Sequence, residues 1–454
     1  MKRLMISIGT VTAITLVMVV IYRLVNIIPP EGASKDAQII ALFEDASCMT
    51  CHVKNGEMPF YSGMPVLSGM IRKDTKAGYR LFDMGETLDK MRKGDAVNEI
   101  SLAKIEMATL IDNSMPPARF YLAHWGSSIT PVKQKIIRDW LLRQREDLIS
   151  GNISDEKSKF EPVRPLPSSL PTNERKSSLG KKLFYDASLS ADNSVSCASC
   201  HNPELGGVDN KQYSEGVNKR IGAMNTPTVF NACLNMAQSW DGSSAGLAEH
   251  LGNHLVSPVI MANESLKDIV ERLRRDSDLN DSFKKVFDDG ITVATITEAI
   301  TEFEKTLLTP NCRFDKYLKG FDSEINEEEL LGYELFKSNK CATCHAGATF
   351  GGRSFEILGM YRDYFEERGW DVTKDDLGRF NITADENDRH RFKTPCLRNV
   401  ALTKPYFHDG SRIALPDAVK AMSIYQTNRR ITDEEAQAIA AFLETLTGDR
   451  PATD

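Results

Sequence analysis

The sequence predicts a mainly α-helical chain: three small helical units with long loops behind an N-terminal transmembrane helix. Three observations predict it. One pentapeptide occurs three times, as Cys48-Met49-Thr50-Cys51-His52, Cys197-Ala198-Ser199-Cys200-His201 and Cys341-Ala342-Thr343-Cys344-His345. Apolar residues return at helical spacing, and no stretch sustains the alternation of a strand. An uncharged apolar run opens the chain.

The pentapeptide is C-x-x-C-H, the attachment site of a c-type haem. Its thiols form thioethers with the haem vinyls and its histidine becomes an axial iron ligand. The three copies use six of nine cysteines and three of eight histidines. A zinc site would need two C-x-x-C pairs close together or a nearby H-x3-H. Copies about 145 residues apart do not supply that. The reading is three covalently bound haem c groups, three cytochrome c-like domains and redox chemistry.

The elements follow in order. Lys2 and Arg3 precede residues 4–22, which carry no charge. Nineteen residues at about 1.5 Å each cross the hydrocarbon core of a bilayer. The apolar stretch continues past Arg23 to Pro29-Pro30 without a small-x-small cleavage site, so residues 1–28 read as an uncleaved signal anchor. Basic residues ahead of the span keep the N-terminus cytoplasmic and put the haem domains in the periplasm, at the inner membrane.

Residues 34–147 form the mono-haem domain. Thr130-Pro131 starts a helix with Ile136, Ile137, Trp140 and Leu141 on its apolar side. Residues 148–173 carry Pro162, Pro165, Pro167 and Pro171 and read as a stiff linker. Residues 174–325 and 326–454 hold the second and third motifs and look duplicated. Leu179-Gly180-Lys181-Lys182-Leu183-Phe184 precedes one motif and Leu331-Gly332-Tyr333-Glu334-Leu335-Phe336 the other; Gly206-Gly207 and Gly351-Gly352 follow them. Residues 269–273 and 296–308 read as helix. Thr432 with Glu435 makes a capping box ahead of Ile439, Phe442, Leu443 and Leu446. The formal charge of -7 is mild and spread out, and no basic stripe points to nucleic acid.

Residues 179–448 resemble the bacterial di-haem cytochrome c peroxidases. The matching stretches are Leu179-Gly180-Lys181-Lys182-Leu183-Phe184-Tyr185-Asp186, Cys200-His201-Asn202-Pro203-Glu204-Leu205-Gly206-Gly207-Val208-Asp209 and Asn225-Thr226-Pro227-Thr228-Val229-Phe230-Asn231-Ala232. Ser239-Trp240-Asp241-Gly242, Leu397-Arg398-Asn399-Val400-Ala401-Leu402-Thr403 and Lys404-Pro405-Tyr406-Phe407-His408-Asp409-Gly410 continue the match. An added haem domain with an anchor resembles the tri-haem, membrane-bound quinol peroxidases of that family.

The resemblance implies a role for each iron. His52, His201 and His345 are the proximal ligands. For the first haem the distal methionine is sought among Met58, Met64, Met70, Met107 and Met115. The resemblance selects Met115, in Met115-Pro116-Pro117. The third haem takes Met422, fourteen residues after His408, and is the electron-transfer centre. The second haem is the peroxidatic one. Its relatives often hold a distal histidine where Val217 stands, and valine cannot ligate iron, so this site is expected to be open.

The relatives place a glutamine and a glutamate at the positions of His250 and Ile260. Isoleucine carries no proton. His250 and His254 would share one face if residues 245–255 are helical, and a neutral imidazole serves as base and then acid. Glu249 is the next candidate. Trp240 matches the tryptophan between the two haems and is read as assisting electron transfer. Asn225, Thr403 and Pro405 match the ligands of a structural calcium ion. Cys233, Cys312 and Cys396 are spare and read as buried thiols, with one disulfide among them allowed outside the cytoplasm.

The expected function is an anchored peroxidase that reduces hydrogen peroxide to water. Electrons would come from quinol, or from a c-type cytochrome, through the His52 and His345 haems to the His201 haem. An oxidase of protein side chains and a non-enzymatic electron-transfer or redox-sensing protein are the alternatives. Relatives often form homodimers, and the sequence shows no interface.

Overall fold

A computed structural model of the protein describes residues 2–65, 67–122, 124–148 and 161–451, the side chains of 2–11, 122 and 146–148 excepted. The chain divides into two compact units, Met1–Ile153 and Ser154–Asp454.

The first unit contains α1 (Lys2–Val25), α2 (Lys35–Asp45), α3 (Cys48–His52), α4 (Leu67–Leu81), α5 (Gly85–Lys93), α6 (Glu99–Glu106) and α7 (Pro131–Leu148). Among the described residues no helix is long and apolar enough to cross a membrane. The expected span over residues 1–28 lies partly outside the described side chains. From Ile14 to Val25 the helix exposes Ile14, Leu16, Val17, Val20 and Leu24. The Ser34 side chain caps α2 by accepting the Ala37 N–H. The Trp140 Nε1–H donates to Asp36 at 2.7 Å, which ties α7 to α2. Ile137, Trp140 and Leu141 close a core with Ile39, Leu42, Phe43 and Leu88, as the α7 pattern predicts.

The second unit carries α8 (Glu174–Phe184), α9 (Cys197–Cys200), α10 (Leu247–Leu255), α11 (Leu266–Leu273), α12 (Ser277–Lys284) and α13 (Val293–Glu304). Then come α14 (Arg313–Leu318), α15 (Glu327–Ser338), α16 (Tyr364–Glu367), α17 (Phe380–Thr383), α18 (Leu415–Thr427) and α19 (Asp433–Glu444). Strands β1 (Phe355–Ile357) and β2 (Arg391–Lys393) pair antiparallel, with Phe355 opposite Lys393 and Glu356 opposite Phe392. This short ribbon leaves the described residues mainly helical, as expected. Three residues per strand are too few for alternation to show.

The two halves of this unit repeat one packing device. In α8, Gly180 lies so close to α13 that an added methyl would stand 1.8 Å from the Ala299 carbonyl oxygen. In α15, Gly332 meets α19 the same way, 1.9 Å from the Ala438 carbonyl oxygen. Four residues later Phe184 packs edge-on to Phe303, with ring centres 5.2 Å apart, and Phe336 packs on Phe442 at 5.3 Å. Ala299 and Phe303 are themselves four apart, as are Ala438 and Phe442. Glycine and phenylalanine thus hold the same register in both halves. The repeated leucine does not: Leu179 is buried and Leu331 exposed.

Residues 149–160 of the expected linker lie outside the described residues. From Glu161 on, the chain is held against the third haem motif. Val163 pairs with Gly347 and is fully buried, and Glu161 accepts the Tyr333 hydroxyl and receives Lys337 at 3.3 Å. Buried Arg398 pairs with Asp315 at 2.7 Å and donates to the Ala348 and Arg164 carbonyls. It locks the Leu397–Asn399 turn to α14 and to this entering strand. The helix expected over 296–308 ends at Glu304. Leu307 then donates to the Glu304 carbonyl in a tighter turn that still buries Leu307 and Leu308.

Candidate active site

Two of the three motif histidines hold one ring nitrogen against a backbone carbonyl. His52 Nδ1 lies 2.9 Å from the Phe82 carbonyl oxygen, and His345 Nδ1 lies 2.9 Å from that of Phe350. An N–H donated from Nδ1 fixes the tautomer and leaves the Nε2 lone pair free for iron. His201 Nδ1 is buried with no well-formed hydrogen bond, and the Gly207 and Pro227 carbonyls are close to it. Burial lowers the pKa of all three rings, so they stay neutral, as a ligand must be.

The first thiol of each motif is likewise neutral. Burial, above all, pushes Cys48, Cys197 and Cys341 up to about 12. Among the described residues no three His, Cys, Asp or Glu side chains converge as a metal cage. Two thiols and one histidine per motif, with no further His, Cys, Asp or Glu side chain converging on them among the described residues, fit thioether-bound haem better than a four-ligand zinc site. Cys233, Cys312 and Cys396 are free thiols, Cys312 buried and the others half-buried.

The candidate methionines differ in setting. Met58, Met64 and Met70 are exposed, and Met107 is buried in a π-helical turn. Met115 is half-buried, and its N–H donates to the Ala108 carbonyl at 3.2 Å. Met422 lies on α18, packed with Trp240 and Phe407 against Tyr364, Phe392 and Tyr425.

The histidine pair is the most developed chemical feature. Both residues lie on α10, one turn apart, with ring centres 4.0 Å apart. Ser239 Oγ is 3.4 Å from His250 Nδ1. His250 is pushed down to about 2 by burial, then by the His254 and His201 charges it would face. His254 is pushed down to about 4 by burial and by His201. Two neutral imidazoles therefore lie within electrostatic reach of the second proximal histidine. Glu249 does not join them. It is exposed and caps its own helix, accepting the Ala245 N–H at 2.8 Å.

Val217 and Ile260 are neighbours. The Val217 N–H donates to the Ile260 carbonyl at 2.9 Å, and both side chains pack with Val195 and Met261. The two positions that are polar in the resembling family form one aliphatic patch here. It can exclude water and orient nothing polar.

Trp240 joins the two halves of the unit. Its Nε1–H donates to the Asn225 carbonyl at 2.8 Å, and its ring packs edge-on to Phe392 and His408. The Asn225 N–H donates to the His408 carbonyl at 2.7 Å, and its side-chain amide donates to the Lys211 carbonyl at 3.0 Å. The Thr403 hydroxyl donates to Val400 at 3.2 Å, and Pro405 is buried. His408 Nε2 is 2.8 Å from Asp376. Burial alone would raise Asp376, but hydrogen bonds from His408, Arg368 and Thr373 hold it well below the usual carboxylate range.

Sequence reasoning missed two buried ionisable groups. Glu304, 6% exposed on α13, is pushed up to about 8 by burial. Lys393, 6% exposed on β2, is pushed down to about 8 by burial.

Three haem-attachment motifs on cytochrome c-like helical units, two of them in one compact unit and bridged by a tryptophan, define a multi-haem c-type redox protein. Three family models match separate stretches of the chain. Residues 27–143 match a haem-binding domain, 174–323 the di-haem cytochrome c peroxidase family and 330–447 cytochrome c. The chain belongs to the di-haem cytochrome c peroxidase family and carries an extra N-terminal haem-binding domain. It is similar to the cytochrome c peroxidase Ccp of Escherichia coli K12, 39% identical over 92% of this chain and 89% of that one. It is 42% identical to the cytochrome c551 peroxidase of Nitrosomonas europaea, over 64% of this chain and 85% of the relative. Among solved structures, a MauG-like protein associated with microbial copper homeostasis aligns with a TM-score of 0.54 and 27% identity, over 66% of this chain and 96% of that one.

Proposed function

We propose that this enzyme reduces hydrogen peroxide to water with the His250–His254 pair as its proton carrier. The stoichiometry is H2O2 plus two electrons and two protons, giving two water molecules. His52 with Met115, His345 with Met422, and His201 would hold the three haems, which when bound would supply electron transfer at the His52 and His345 sites and peroxide reduction at the His201 site.

The chain's own groups do the rest. One neutral imidazole of the pair takes a proton from peroxide as it binds. The same ring returns that proton to the leaving oxygen as the O–O bond breaks. His250 and His254 can share the proton, because their rings are adjacent and both are neutral beforehand. Val217 and Ile260 keep the pocket wall dry, which strengthens each proton transfer inside it. Trp240, held by the Asn225 carbonyl, gives the two halves of the unit a fixed aromatic contact.

The finer readings are proposals of the same kind. Residues 1–28 anchor the chain in the inner membrane with its domains in the periplasm, which the uncharged run 4–22 and the exposed apolar side chains of α1 support. A quinol is the donor, because an anchor keeps the first haem domain beside a lipid-soluble reductant; a c-type cytochrome is the other donor class. Asn225, Thr403 and Pro405 hold calcium.

The observation that carries the proposal is the adjacent, half-buried histidine pair, its rings held neutral, within electrostatic reach of His201. Its test is steady-state peroxide turnover of haem-loaded His250→Ala, His254→Ala and the double variant. Loss of one proton-transfer group costs about 10²–10⁴-fold in rate. The double variant should lose that much with three haems still attached. Turnover within threefold of the parent would overturn the assignment.

A further inference from the structure

Lys393 is a buried cation without a partner. It is 6% exposed, and among the described residues its ammonium has neither a hydrogen bond nor an ion pair. Its backbone is fixed, with the N–H donating to the Trp240 carbonyl at 2.7 Å. Opposite it on the ribbon stands Phe355, with the Arg379 guanidinium 4.0 Å from the ring centre. Arg379 is a second cation and its partner is Asp388. The one buried acid of the ribbon, Glu356, pairs with Phe392 and therefore lies on the other face. The titratable groups that Lys393 senses are Cys396 and His250. Burial keeps both neutral, so neither balances the charge.

A buried ammonium with no counter-charge is strongly unfavourable. The described residues supply none, and a haem brings carboxylates of its own. We propose that Lys393 holds a haem propionate in the second unit, beside Trp240, and so raises the reduction potential of the haem that carries it. This rests on the reading that His201 and His345 seat haems. Reduction adds an electron to the haem, so a nearby fixed cation favours the reduced state. In this role Lys393 is a positioning and tuning residue that touches no substrate.

The test uses the full-length, haem-loaded protein. Haem is first counted in the parent, Lys393→Met and Lys393→Arg by alkaline pyridine spectra. The midpoint potentials are then measured by spectroelectrochemical titration. Lys393→Met should lower the midpoint of one haem of the second unit, and Lys393→Arg should keep it near the parent value. Lys393→Gln makes the same prediction as Lys393→Met and replaces it if that variant does not assemble. Unchanged midpoints in a three-haem neutral variant would overturn the proposal. Unchanged midpoints with several-fold weaker azide binding would also overturn it, and would assign the ammonium to free anions in the distal pocket. Fewer than three haems in the parent would instead overturn the haem reading beneath it.

Discussion

Alanine at Gly332 tests the packing logic of the second unit. The added methyl would stand 1.9 Å from the Ala438 carbonyl oxygen and 2.9 Å from Phe442 Cβ. Carbon and carbonyl oxygen rest at roughly 3.3 Å, so α15 and α19 must separate by more than 1 Å at this point. Overpacking of this kind costs about 1–3 kcal/mol. Separation also weakens the Phe336–Phe442 contact, worth about 0.5–1.5 kcal/mol. Alanine returns about 1 kcal/mol of helix propensity. The balance is a destabilisation of about 2 kcal/mol, from roughly 0.5 to 3.5 at the extremes of these terms, and Gly180→Ala should cost the same at the α8–α13 crossing. Guanidinium unfolding of the haem-loaded protein, followed by far-ultraviolet circular dichroism, reads this as a lower midpoint at unchanged slope. An alanine variant as stable as the parent, or about 1 kcal/mol more stable, would refute the close-crossing account.

Three further outcomes are expected. The histidine pair should stay neutral well below the ordinary histidine pKa, so kcat/KM for peroxide should hold from pH 8 to about pH 5; a fall centred near pH 6.5 would contradict this. Glu304 has a folded pKa raised from 4.5 to about 8, so the folded state binds the extra proton and stability falls as pH rises through that window. At about 1.4 kcal/mol per unit, Glu304→Gln should be more stable than the parent by about 3 kcal/mol at pH 7 and by almost nothing near pH 4.5, measured by denaturant titration at both values. Arg398→Met leaves Asp315 buried and alone, so unfolding at pH 7 should show a loss of about 3–5 kcal/mol; a loss under 1 kcal/mol would mean that the pair is not the lock described.

Chemistry that is local in sequence was legible before the fold. The three pentapeptides name the cofactor and its axial histidines by covalent necessity. The Thr432–Glu435 capping box and the α7 apolar face were read from short spacings that helical geometry imposes. The His250–His254 pair was readable once its segment was taken as helical, because one turn brings residues four apart together. Properties that depend on distant neighbours were not legible. Lys393 and Glu304 look like ordinary surface residues in sequence, and only the fold shows them buried without compensation. The repeated Gly-x-x-x-Phe spacing was visible, but its cause, a backbone-to-backbone helix crossing, lies in residues more than a hundred positions away. Glu249 sits beside His250 in the chain yet faces solvent, because adjacent helical residues point about 100° apart.

The account's central claim is tested most directly by an anaerobic turnover measurement on the full-length, three-haem protein. It is reduced with a soluble menaquinol analogue, hydrogen peroxide is added, and haem spectra are followed while peroxide consumption is counted. The account predicts rapid haem reoxidation, sustained turnover and one quinol oxidised per peroxide consumed. Haems that are reduced by the quinol but leave peroxide untouched would contradict it.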